Sequence, residues 1–79
     1  MISEADKSAL IIGLKQVKKA LTAGRAKTVY VARDCDDYLR EQIEALSEES
    51  GARIIYADTM KQLGQECGID VSASCACIC

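Results

Sequence analysis

The amino-acid sequence predicts a layered α/β domain, and three observations carry the prediction. Two short segments rich in β-branched and aromatic residues, Thr28 to Ala32 and Arg53 to Ala57, have the length of buried strands and are bounded by charged or glycine-containing turns. Between them, from Asp36 to Ser50, Leu39, Ile43 and Leu46 recur at i, i+4 and i+7 with acids on the remaining faces, the pattern of an amphipathic helix. Asp36 or Asp37 caps its start, and Gly51 supplies a left-handed stop. A strand, a helix and a strand in this order form a crossover connection, so the two strands lie parallel in one sheet.

The remaining elements follow in order. Ser3 to Ala9 reads as a short helix leading into a brief strand at Leu10 to Ile12. Leu14 to Ala23 places Leu14, Val17, Ala20 and Leu21 on one apolar stripe and ends at Gly24. Thr59 to Cys67 opens with a capping box, Thr59 and Gln62, and ends at Gly68. Val71 to Ile78 reads as the last strand. There is no internal repeat, linker or low-complexity tract, so residues 1–79 are expected to form one domain.

With 49% hydrophobic and 28% charged residues and a mean hydropathy of +0.02, the chain has the balance of an ordinary globular domain. Its apolar runs, such as Ala9 to Ile12 and Cys75 to Cys79, are far shorter than the ~20 residues of a spanning helix, and its first residues lack a leader's basic start and apolar middle. The expected location is therefore the cytoplasm. Histidine and tryptophan are absent, as are phenylalanine and proline, which removes the commonest general base and the usual base-stacking platforms. Serines without a histidine and glycines without a phosphate loop leave no catalytic constellation, so no enzymatic activity is expected.

The net charge of −2 hides an uneven distribution. Met1 to Lys27 carries six basic residues against two acids, whereas Thr28 to Ser50 carries two against seven. A basic end and an acidic middle can steer a polyanion to one face and repel it from the other.

The basic end contains the segment Gly13-Leu14-Lys15-Gln16-Val17-Lys18-Lys19, which joins a strand end to a helix start. There, unpaired amides and the positive dipole end favour phosphate. Lys15 and Lys19 are four apart and Gln16 and Lys19 three apart, so they share the exposed face opposite Val17 and Leu21. Gly13 lets a backbone come close. Lysines attract phosphates at long range, and a glutamine amide both donates and accepts, as reading a base edge requires. The plain alternative is a solvated helix face.

Four stretches carry a resemblance that supports the binding reading. They are Ile11 to Leu21, Gly24 to Asp34, Leu63 to Val71 and the small-residue strand that follows. In this order and spacing the chain, from Ile11 to Cys79, resembles the ribosomal L7Ae/L30e/Gadd45 family, and in particular its short bacterial kink-turn-binding (YbxF-type) members. The resemblance implies a three-layer α/β/α sandwich with a mixed four-stranded sheet, and a binding surface where the Gly13 segment lies beside the Gly68 loop. It implies that Gly13, Lys15, Gln16 and Lys19 face sheared G·A pairs and nearby phosphates, with Arg33 close to the RNA backbone. Ile69, Asp70 and Val71 would cover an extruded nucleotide. The implied partner is structured RNA, ribosomal or other non-coding, bound by a monomer without cofactor or membrane. Such a site suits RNA, which is read where it is unstacked or its groove is widened. There are departures from the pattern: Lys15-Gln16 stand where archaeal members have Asn-Glu, although bacterial and L30e-like members resemble this chain there, Leu14 replaces a small polar residue, and Asp37 stands where the family has proline.

Other readings remain open at this point. The acidic helix from Asp37 to Glu49 would suit a protein-interaction adaptor on the same fold. Five cysteines, Cys35, Cys67, Cys75, Cys77 and Cys79, are expected to be reduced and to act as small core residues. The minority reading is a zinc or redox site at the chain end, with Cys67 as a fourth ligand.

Overall fold

The computed structural model describes residues 8–79. A short helix expected over Ser3 to Ala9 lies outside the described residues except for Ser8 and Ala9, which form a turn. The elements that follow are β1 (Leu10–Ile12), α1 (Leu14–Thr22), β2 (Thr28–Ala32), α2 (Asp37–Ser50), β3 (Arg53–Ala57), α3 (Met60–Glu66) and β4 (Cys75–Ile78).

The strands form one sheet in the order β1-β4-β2-β3. β2 and β3 run parallel, with Thr28 opposite Arg53 and Ala32 opposite Ala57, as the crossover through α2 requires. β4 is antiparallel to both of its neighbours, β1 and β2, so the sheet is mixed. Every residue of β4 and all but the first of β2 are buried, although successive side chains point to opposite faces. Both faces of the central strands are therefore covered. α1 and α2 pack on each other over one face and α3 packs over β2 and β3 on the other, which gives the three layers the resemblance implied. Val17, Val29, Val31, Ile43 and Leu63, all at 0% exposure, fill the space between layers. No helix among the described residues is long and apolar enough to cross a membrane.

Local chemistry sets the helix ends. The Asp36 carboxylate accepts a hydrogen bond from the Tyr38 amide at 2.8 Å, which identifies Asp36 as the cap of α2, and Gly51 takes the left-handed conformation that ends it. Thr59 Oγ1 accepts from the Gln62 amide at 3.0 Å, while Gln62 Oε1 reaches the Asp58 amide at 3.2 Å, one residue before the usual partner of a capping box. α1 ends at Thr22 and α3 at Glu66, each one residue short of the expectation.

One element differs substantially. The last strand begins at Cys75 and not at Val71. The Ile69 amide donates to Gly64 O at 3.0 Å and the Ala73 amide to Met60 O at 3.0 Å, so these amides are spent on α3, and the chain rejoins the sheet only at Ser74, whose carbonyl accepts from the Ala32 amide at 2.9 Å.

Candidate nucleic-acid interface

The carboxyl ends of β1, β2 and β3 and the start of β4 lie at one end of the sheet. Hydrogen bonds mark the row: the Gly13 amide donates to Cys75 O at 3.2 Å, Ala32 to Ser74 O at 2.9 Å, and Arg33 to Ala57 O at 2.8 Å. All three helices start here, since each follows one of the three strands. The positive ends of three helix dipoles therefore face the same way, a setting that favours anionic ligands.

Gly13 is the hinge between β1 and α1. Its φ of +109° and ψ of 146° are closed to residues with a side chain, and its own side offers no cap, so the first amides of α1 face outward. Lys15, Gln16 and Lys19 are exposed, and no hydrogen bond or ion pair to another described residue is recorded for them. Lys18 differs, because its Nζ donates to Gln42 Oε1 of α2 at 3.4 Å. Leu14 is half-buried and packs against the core, so the departure from the family pattern at this position supplies packing.

The loop after α3 is held by a different device. A Cβ on Gly64 would stand 2.1 Å from Val71 O, a distance no side chain tolerates, so only glycine lets the Val71 backbone lie on α3. The loop then climbs along α3 from Ile69 to Ala73 and enters β4 beside Gly13. Ile69 is tucked against the core, whereas Asp70 is exposed and Val71 is 69% exposed.

Arg33 stands apart from this pair of segments. From β1 to β2 the backbone crosses two strand spacings, ~10 Å, and the Arg33 guanidinium turns further away, 5.4 Å over the ring of Tyr56 on β3. Arg33, Arg40 and Tyr56 line a shallow hollow of about 260 Å³. Arg40 is held there by a 3.0 Å bond to Arg33 O and a 2.9 Å ion pair with Asp37. The Tyr56 hydroxyl donates to Glu44, and that bond with burial raises its pKa.

Sequence reasoning assigned no role to Gly64, Arg40 or Tyr56. Gly64 carried a signal, since glycine inside a helix costs about 1 kcal/mol relative to alanine and needs a compensating contact. Arg40 and Tyr56 carried none, because their meeting depends on the β2–β3 register.

The cysteines are part of the core. Cys75 and Cys77 pair directly with Val31 and Val29 and are at 0% exposure. Burial pushes the Cys75 thiol up to about 11, and burial together with the neighbouring Cys79 thiol pushes Cys77 up to about 12. Burial also raises Cys35. Buried thiols held protonated in this way are weak nucleophiles, and the described residues gather no set of three His, Cys, Asp or Glu side chains able to hold a metal. The acids of α2 are partly engaged within the fold, with Asp36 as cap, Asp37 on Arg40 and Glu44 on Tyr56.

Known proteins are similar to this chain in sequence or in fold. An RNA-binding protein of Caldanaerobacter subterraneus subsp. tengcongensis is 42% identical over 66 residues, spanning 84% of this chain and 80% of that protein. One from Bacillus pumilus is 42% identical over 69 residues, spanning 87% and 84%. The RNA-binding protein YbxF of Geobacillus stearothermophilus is 38% identical over 69 residues with the same coverage. A solved structure of a protein of unknown function from Bacillus halodurans superposes with a TM-score of 0.82 at 17% identity, over 90% of this chain and 71% of that one, and so shares the fold. The pattern of the Ribosomal protein L7Ae/L30e/S12e/Gadd45 family matches residues 2–79, and with relatives of this similarity across most of its length the chain belongs to that family.

Proposed function

We propose that this chain is an RNA-binding module that recognises and stabilises kink-turn RNA and performs no reaction. The observation that carries the reading is the 3.2 Å bond from the Gly13 amide to Cys75 O, which joins the start of α1 to the end of the loop that presents Val71. Further support comes from relatives named as RNA-binding proteins. In this reading Lys15 and Lys19 neutralise phosphates, Gln16 reads a guanine edge at the sheared G·A pairs, and Gly13 allows close backbone approach. Ile69, Asp70 and Val71 cover the extruded nucleotide, and Arg33 meets the RNA backbone on the far side of the sheet end. The protein acts as a monomer in the cytoplasm, on ribosomal or other non-coding RNA.

A gel-shift comparison of a kink-turn duplex with the same duplex lacking its G·A pairs tests the reading. Clear preference for the intact kink-turn is the expected result. Equal affinity for both would reduce the interaction to charge alone and overturn the assignment.

A further inference from the structure

We propose that Tyr38, positioned by Gln42 and Lys18, is a stacking platform for an unpaired nucleotide that flanks the kink. The inference rests on the RNA-binding reading above and adds a contact outside the kink itself.

The chain has three tyrosines. Tyr30 is buried and Tyr56 lies under Arg33, but Tyr38 is 69% exposed in the first turn of α2. It is not a loose ring. Its hydroxyl accepts from Gln42 Nε2 at 3.0 Å, and Gln42 Oε1 accepts from Lys18 Nζ of α1 at 3.4 Å. This relay ties the ring to the neighbouring helix and leaves the ring largely exposed to solvent.

Lys18 connects the platform to the basic face. At 100° per residue, Gln16 and Lys18 stand roughly 160° apart around α1, with Lys15 and Lys19 between them. A strand that meets Gln16 and lies on those two lysines leaves α1 on the Lys18 side, where Tyr38 waits. A basic strip ending at an exposed aromatic ring is the combination that holds unpaired nucleotides, because every base has a face to stack. The acids beside the ring favour a base there over a phosphate. Asp36 is spent on the Tyr38 amide and Asp37 on Arg40, while Glu41, one turn on, is exposed and repels a phosphodiester.

The absence of tryptophan gives a direct probe. Tyr38→Trp places a single indole at the position. Three RNAs are compared: a blunt kink-turn duplex, and the same duplex with a few unpaired nucleotides on the 5′ or the 3′ end of one arm. Indole emission should be quenched by one of the overhanging RNAs and not by the blunt one. Tyr38→Ala should bind that overhanging RNA about tenfold more weakly than wild type and the blunt RNA equally well, while Tyr38→Phe keeps most of the gain. An overhang that adds no affinity to the wild type, or an equal loss by Tyr38→Ala on blunt and overhanging RNA, would remove the platform and leave the kink-turn reading intact. A wild-type protein that binds no form of the RNA would remove both.

Discussion

At the start of α1 the proposed RNA contacts are exposed side chains with no hydrogen-bond or ion-pair partner among the described residues, Lys15, Gln16 and Lys19. In the loop from residue 68 to 74 they are held in place by backbone contacts to α3, with Val71 left facing out. The first region supplies charge and hydrogen bonding and depends on residues within a few positions of one another. The second supplies shape and depends on a contact between Gly64 and Val71 across the end of a helix. In the proposed function the two act on different properties of one RNA, and perturbing them should separate affinity from selectivity.

The largest effect removes both regions at once, because β4 joins them. With Cys75 raised to about 11 and Cys77 to about 12 from an ordinary value of 9.0, both folded and unfolded chains keep these protons below pH 9. Between pH 9 and 11 to 12 only the unfolded chain gives them up, so stability falls as pH rises through that window. Urea midpoints measured from pH 8 to 11 should drop steeply in the wild type and less in Cys77→Val. Parallel curves would show that the buried thiols do not carry the dependence.

Next in size is Gly64→Val, which drives a side chain into the Val71 backbone. A stability loss of roughly 2 to 3 kcal/mol and near-complete loss of kink-turn preference are expected, with residual binding to any RNA through the lysines. Denaturation and gel shift on one preparation check both. Retained preference in a folded variant would mean that the loop is not a reading element.

Gln16→Ala and Lys19→Ala sharpen the comparison within α1. The first should reduce the preference for kinked over straight RNA by about tenfold and leave straight-duplex binding unchanged. The second should weaken binding to both by a few fold and lower the salt slope by about 1. Equal losses on kinked and straight RNA in both variants would contradict the division of labour.

How much of this was legible in the sequence follows the same divide. The α1 tip was readable because a glycine before a helix period, with lysines on the polar face, is a local pattern. The parallel β2–β3 pair was readable from strand, helix and strand in succession. The loop is not, because the small and β-branched residues from Val71 to Ser74 look extended and read as part of the last strand. The amides of Ile69 and Ala73 go instead to α3, a choice fixed by packing around Gly64. Only the family resemblance set the loop beside Gly13. Arg33, too, is named only by the family resemblance, and its seat over Tyr56 follows from strand register that no short pattern encodes.

Amide chemical-shift mapping during titration with a kink-turn RNA tests the central claim most directly. The account predicts that Gly13 to Lys19 and Ile69 to Val71 shift together at one stoichiometry, while the second half of α2 stays unchanged. Shifts confined to α2, or to α1 without the loop, would contradict it.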